Sequence, residues 1–379
     1  MILDYSDPAP LYRQVAKSIT RKINGKVFNE GDKIPSQRTL SEQYEVSMIT
    51  IKRAISELIN EGIVYSRKGK GTYVNGKLRK NKTRESKTIR LVLYDIKSPY
   101  FSMISHGVEM ESSQQDYNLL LSNSSGEPEE EERLIHQSLD MGVDGLVIAS
   151  MSHEYHANKT IRLLHESGFP YVIVSFIADK DIYQVGTDQR AGAYIATHHL
   201  IEHGYKEICY IKAEEGNTLG DIRYQGYYEA MMDAGLCVNQ ENCIFYPYSG
   251  EWNDYRSGYE IGLQFFERKR LPEAVFVYND LGAIGFQEAL KENGIRIPDD
   301  IAIMGFDGIE RSAHVAPSLS TIGQPAEHIG QLAVDKLIKL IDGKTPKVRT
   351  ILKPRLIIRE SCGMHSDTES AHPQTNSII

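Results

Sequence analysis

Pro35-Ser36-Gln37-Arg38-Thr39-Leu40, followed after five residues by Val46-Ser47-Met48-Ile49-Thr50-Ile51-Lys52-Arg53-Ala54, decides how the N-terminal part of the chain folds. Ser36 and Ser47 each precede a short run with helical spacing, where a serine hydroxyl can satisfy the free N–H groups of a helix start. The spacing predicts one helix over about Arg38–Tyr44 and a second, capped by Ser47, running to Asn60. Two short helices joined by a tight turn form a helix-turn-helix. Ile51, Ile55, Leu58 and Ile59 supply the buried face of the second helix and leave Met48, Ile49, Thr50, Lys52 and Arg53 at or near its exposed first turns. A helix N-terminus presented in this way enters the major groove of DNA. Upstream, Leu11, Val15, Ile19 and Ile23 recur every four residues and predict a helix from near Pro10 to near Gly25. Downstream, Gly62–Val74 holds two β-prone runs around a turn containing Arg67, Lys68, Gly69, Lys70 and Gly71. That is a β-hairpin wing whose glycines permit close backbone approach and whose cations bind phosphates.

Charge divides the chain in the same place. Residues 1–90 hold 19 Lys and Arg against 9 Asp and Glu, a net +10, whereas the remainder holds 24 against 42, a net −18. A basic module that displaces counterions from phosphates is joined to an acidic one. At 379 residues the chain is long enough for two or three compact units. Its apolar runs fall short of the roughly 18 residues a membrane span needs. The acidic, proline-containing start, Met1–Pro10, has neither the basic nor the apolar part of a secretory signal, so a cytoplasmic protein is expected. Cys209, Cys237, Cys243 and Cys362 show no metal-type or CxxC spacing and are expected as reduced thiols.

The N-terminal stretches resemble the GntR-type winged helix. Its pattern Pro-Ser-x-Arg-x-Leu is met by Pro35–Leu40, Val-Ser-x-x-Thr-x-x-x-Ala by Val46–Ala54, and Gly-x-Gly-Thr-Tyr-Val by Gly69–Val74. The resemblance covers about 70 residues and implies that Arg38, Thr50, Lys52 and the Gly69–Gly71 wing touch DNA; with Ser47, Met48 and Arg53 at the helix start and Arg67, Lys68 and Lys70 in the turn, these form the expected operator-DNA surface. Met48 stands where this family usually carries a base-reading arginine, and Lys52 where arginine is common, which implies a different operator.

Residues 77–88 are polar and cationic without hydrophobic period and are expected to be a flexible hinge. From there strand and helix signals alternate: strands at Ile89–Tyr94, Leu119–Ser122, Gly145–Ile148 and Tyr171–Val174, and later near Ile208–Ile211, Ala274–Tyr278 and Ile301–Phe306. Helices are predicted between them, among them Arg223–Ala234, Tyr255–Phe266 and Leu281–Asn293. The fold class is therefore α/β, a winged helix-turn-helix followed by a two-lobed, doubly wound parallel-sheet domain. Such sheets bind ligands beyond the carboxyl ends of their strands. Residues so placed are Tyr100 and Phe101, Asn123, Asp188, Asp221 and Arg223, Trp252, Asn279, Asp307 and Gln324. Aromatic planes combined with Asp, Asn and Arg suit a polyol, whose ring faces stack and whose hydroxyls need both donors and acceptors.

Val143–Ile148, Val185–Gly192, His199–Tyr205, Arg223–Tyr227, Asn279–Ala283 and Gly305–Gly308 match, in order, blocks of the LacI/GalR effector domain. The domain also resembles the periplasmic sugar-binding proteins (type I). This resemblance implies that Tyr100, Phe101, Asp188, Arg223, Trp252, Asn279 and Asp307 line the cleft that binds a small-molecule effector, with Arg223 and Asp307 as anchors, and Asn123, Asp221 and Gln324 join them by position. It implies a homodimeric, ligand-responsive transcription repressor of carbohydrate-use genes, similar to arabinose-type repressors. An activator or a corepressor-dependent regulator would fit the same residues. The expected boundaries are a winged helix over 1–76, a linker over 77–88 and an effector domain over 89–362. Within the last, lobe 1 takes about 89–200 and 325–350, lobe 2 about 201–324 and 351–360, and a disordered tail occupies 363–379. Gly308 replaces an aspartate frequent in that family.

A sugar-processing enzyme is the rival class, but no GxSxG, Walker loop or strand-borne GxGxxG is present. His198, His199 and His203 lack a glutamate at metal-motif spacing. Neither a metal nor a cofactor is expected.

Overall fold

The structure, a computed structural model, describes residues 10–24, 27–67, 70–75, 87–149, 156–213, 215–238, 243–246, 254–268 and 270–363. The expected hinge, apart from Lys87 and Thr88, and the expected tail from residue 364 lie outside these, as do Lys68, Gly69 and Trp252.

The chain begins with three helices and a hairpin: α1 (Leu11–Asn24), α2 (Gln37–Tyr44), α3 (Met48–Asn60), β1 (Val64–Arg67) and β2 (Gly71–Val74). Both serine caps form as the sequence predicts. Ser36 Oγ accepts the N–H of Thr39 and Ser47 Oγ that of Thr50, each at 3.1 Å. The core of this module gathers Tyr12, Val15, Ile19, Ile34, Leu40, Ile51, Ile55, Leu58, Val64 and Val74. Ile59, expected in that core, is 38% exposed. The two strands pair antiparallel with Arg67 opposite Gly71, which closes the wing.

Alternating units follow: β3 (Thr88–Leu93), α4 (Pro99–Gln114), β4 (Asn118–Asn123), α5 (Pro128–Met141), β5 (Gly145–Ala149), α6 (Lys159–Glu166), β6 (Tyr171–Val174) and β7 (Gln184–Thr187). Next come α7 (Gln189–Glu202), β8 (Ile208–Lys212), α8 (Thr218–Asp233), β9 (Cys243–Phe245), α9 (Asp254–Phe266), β10 (Ala274–Val277) and α10 (Asp280–Glu292). The chain closes with β11 (Ala302–Asp307), β12 (Ser320–Gly323), α11 (Ala326–Ile341), β13 (Arg349–Leu352) and β14 (Arg355–Ile357). Two six-stranded sheets result, ordered β13-β7-β6-β5-β3-β4 and β14-β12-β11-β10-β8-β9. Central strands such as β5, β6 and β10 are buried at every residue, as a parallel sheet covered on both faces requires.

The chain divides into two compact units: residues 1–186 with 326–351, and residues 187–325 with 352–379. The winged helix shares the first unit with the first sheet. The change of unit falls ahead of α7, where the sequence reading had put it at residue 200. The reason is packing: Ala193, Ala196 and Leu200 of α7 cluster with Ile208, Tyr210 and Tyr227 of the second unit. Gly226 of α8 sits against the Arg190 carbonyl of α7, leaving no room for a Cβ. A second difference concerns α8. It begins at Thr218, capped by Asn217 Oδ1, so Asp221 and Arg223 lie within its first two turns where the sequence placed them before a helix.

Candidate effector site and nucleic-acid interface

The second unit builds a closed ring of polar side chains at the carboxyl ends of its strands. Arg223, 3% exposed, donates from Nε to Gln189 Oε1 at 2.9 Å and from Nη1 to the Tyr278 carbonyl. Gln189 Nε2 donates to Gln324 Oε1 at 2.8 Å, and Gln324 Nε2 to Asp307 Oδ1 at 2.9 Å. Asp307 Oδ1 closes the ring 3.5 Å from Arg223 Nη2. The guanidinium lies over the Phe306 ring at 3.8 Å and the Tyr278 ring at 4.6 Å, so its charge is held between π faces. Gln189 follows β7, Tyr278 follows β10, Asp307 ends β11 and Gln324 follows β12, while Arg223 reaches in from the second turn of α8.

Burial pushes the Asp307 carboxyl up to about 6, against the opposing pull of Arg223 and Gln324. Behind it, fully buried Asp280 is pushed up to about 8, first by burial and then by the Asp307 charge. Asp280 accepts from Thr321 Oγ1 and from the N–H of Ile309 at 2.9 Å. The N–H of Gly308 also bonds this carboxyl. Gly308 has φ +74°, and a Cβ there would stand 2.7 Å from Gly323 Cα. Backbone conformation and close approach disfavour a side chain at this position, and Asp280 holds the backbone N–H groups of Gly308 and Ile309 beside Asp307.

The remaining candidates divide. Asn279 caps α10 through the N–H of Gly282, donates to Asp254 Oδ2 at 2.7 Å and accepts from Tyr246 Oη at 3.3 Å. Asp221 pairs with Lys212, whose ammonium also faces the rings of Tyr224 and Phe245. Asp188 does not join the ring. Its carboxylate turns back to cap α7 through the N–H of Ala191 at 3.0 Å, and it lines a surface recess of about 300 Å³ with Arg190, Tyr194 and Glu229. Gln189, which sequence reasoning missed, takes the inner place.

In the first unit, Tyr100 and Phe101 open α4, with Phe101 buried against Tyr94 and their ring centroids 5.9 Å apart. Asn123 brackets two loops at the end of β4, accepting from the N–H of Ile96 at 2.9 Å and donating to Ser125 Oγ at 2.8 Å.

On the winged helix, Arg38 is exposed and pairs only loosely with Glu42 at 3.2 Å. Met48 is 40% exposed. Thr50, expected at the surface, is buried with its hydroxyl 2.8 Å from Ser47 Oγ, and Ile49 is buried as well. Lys52 and Arg53 are half-buried. In the wing, Arg67 lies beside the rings of Tyr65 and Tyr73, Lys70 is exposed at the turn, and Gly71, at φ +118°, packs against Lys33. Among the described residues no group of three metal-binding side chains is present, and no helix is long and apolar enough to cross a membrane.

Residues 11–74 match the bacterial regulatory proteins of the gntR family, and residues 197–362 match a periplasmic binding protein-like domain. The chain is 33% identical over 284 residues to the HTH-type transcriptional repressor PurR of Histophilus somni, covering 74% of this chain and 83% of that protein. The chain belongs to the PurR/LacI family of transcriptional repressors. Its PurR/LacI-type sensor carries a GntR-type reader, and the protein is a transcription regulator, not an enzyme. Among solved structures it resembles the transcription regulator CcpA of Lactococcus lactis, with a TM-score of 0.65 and 28% identity over 72% of this chain and 98% of that one. A LacI family regulator from Enterococcus faecium, solved with bound ribose, matches with a TM-score of 0.62 and 27% identity over 72% and 98% of the two chains. A CelR-cellobiose complex matches at a TM-score of 0.64 and 26% identity over 93% and 98%.

Proposed function

We propose that this regulator represses carbohydrate-use genes in the cytoplasm and is released from its operator by a monosaccharide or a close derivative. The observation that carries the reading is the Arg223-Gln189-Gln324-Asp307 ring. It presents a fixed cation, a carboxylate and amide groups beside the faces of Phe306 and Tyr278. Hydroxyl groups need donors and acceptors at fixed positions, which a cation, a carboxylate and two amides held in one ring supply. The ribose and cellobiose held by related regulators support a sugar over other polar ligands.

On the DNA side, exposed Arg38, Arg67 and Lys70, together with Lys52 of α3, bind phosphates, and the first turn of α3, with Met48, reads bases. A homodimer would place two such readers on successive major grooves, and ligand binding would shift the population away from the DNA-competent form by no more than its differential affinity for the two states. The test is a thermal-shift screen of monosaccharides, sugar acids and sugar phosphates, since a bound ligand stabilises the fold by mass action. A stabilising sugar that also lowers operator affinity supports the reading. Stabilisation confined to ligands of another class overturns the sugar assignment.

A further inference from the structure

The face of α3 that should meet DNA is already occupied. Lys52 Nζ stands 3.1 Å from Asp140 Oδ1 at the end of α5. Arg53 Nη1 donates to the Val143 carbonyl at 2.6 Å, and its guanidinium lies 4.9 Å from the centre of the Phe169 ring. One turn further along, Ser56 Oγ donates to the Leu139 carbonyl at 3.3 Å. Ile49, on the same side, is 4% exposed because it enters the apolar cluster of Leu134, Ile135, Leu139, Val143 and Phe169. The contact thus joins the reader to the sensor through an ion pair, two side-chain-to-carbonyl bonds and a buried isoleucine.

We propose that this contact is an autoinhibitory dock, in which the end of α5 and operator DNA compete for the same side of α3. The proposal rests on the reading of α3 as the DNA-reading helix. Asp140 holds the anionic position that a phosphate would take opposite Lys52. The Val143 carbonyl and the Phe169 ring occupy Arg53, a side chain otherwise available to DNA. The dock is built to release: Arg53 Nε is buried there without a hydrogen-bond partner, a deficit that transfer to a polyanion removes. Met48 and Arg38 stay exposed while the dock is closed, so an encounter with DNA can begin before α3 leaves α5. If docked and free readers interconvert, apparent operator affinity is reduced by the free fraction. The sensor lobe thereby controls the reader through residues that touch no effector.

A crosslink tests this directly. A Cβ on Gly142 would stand 3.8 Å from Ser56 Cβ, the usual separation in a disulfide of about 3.8 Å. Full-length chain carrying Ser56→Cys and Gly142→Cys, with exposed Cys237→Ser, is oxidised with and without an operator duplex that the full-length chain has selected from random-sequence DNA. The expected result is a 56–142 disulfide in free protein, slower crosslinking when operator is bound first, and operator binding lost on oxidation and regained on reduction. A crosslinked protein that binds operator as well as the reduced one, or no crosslink at all, overturns the dock. Failure of the reduced protein to bind any duplex counts instead against the DNA-reading assignment of α3. Because Gly142 has φ +72°, a second variant avoids the glycine. Asp140→Asn and Asp140→Lys should tighten operator binding progressively, the latter by about three- to tenfold, through loss of one ion pair in the docked state alone. Unchanged affinity in both overturns the proposal.

Discussion

Replacing Asp307 with asparagine should stabilise the protein at neutral pH and abolish its response to effector. The carboxyl is only 13% exposed and sits at φ +125°, a conformation unfavourable for any residue but glycine. Burial pushes its pKa from 3.8 up to about 6 despite the neighbouring Arg223. The net direction matters, because the attraction of Arg223 is already included and the ionised form is still disfavoured. Native protein therefore binds more protons than unfolded protein between about pH 4 and pH 6, so the wild-type stability falls as pH rises through that window. A displacement of about two pH units corresponds to ~3 kcal/mol. Asparagine keeps the acceptor for Gln324 Nε2 without the charge. Urea denaturation of the two proteins should coincide near pH 4 and diverge to ~3 kcal/mol in favour of Asp307→Asn at pH 7. The variant should bind operator as before and ignore effector. A variant less stable than wild type by the same amount at both pH values would refute the reasoning, since Asp307 would then be a structural ion-pair partner and not a charge held at a cost for ligand.

Three further outcomes follow from the same geometry. Gln189→Ala removes the bonds that Gln189 makes with Arg223 Nε and Gln324 Oε1, which should cost about 1–3 kcal/mol of stability and weaken effector binding in calorimetry, whereas Asp188→Ala should lose only a helix cap and leave effector affinity intact. Asp280, with its pKa near 8, adds stability that is fully present at low pH and lost as pH rises toward that value. Asp280→Asn should therefore flatten the decline of the melting temperature between pH 5 and pH 8. Lys52→Ala should lower operator affinity and reduce the slope of log affinity against log salt by about one in gel-shift titrations.

The winged helix was legible because its signals are local and contiguous: two serine caps, a four-residue apolar period and a glycine-bounded wing. Its surface was less so. Ile49 looks exposed when α3 is considered alone, and its burial depends on α5 and Phe169, more than 70 residues away. In the sensor, long buried strands declared themselves by composition. β9, β13 and β14 did not, because they are only partly buried and lack a continuous apolar run, and β7 reads Gln-Val-Gly-Thr. Asp307 and Gln324 were found by their position after strands and Arg223 by its place before an expected helix, and the structure brings the three together. Asp188 was named for its position after a strand, but its carboxylate caps α7, and Gln189 is the residue that bonds Arg223. The boundary at residue 187 was hidden because α7 is assigned by what its small residues pack against, not by its own sequence.

Fluorescence anisotropy of a labelled operator duplex, titrated with wild-type and Asp307→Asn protein at fixed salt with and without the sugar that stabilises the fold, tests the division between reader and sensor most directly. Equal operator affinity of the two proteins without sugar, together with release of the wild type alone when sugar is added, is the predicted result. Loss of operator binding in Asp307→Asn without sugar, or sugar-dependent release of both proteins alike, would contradict it.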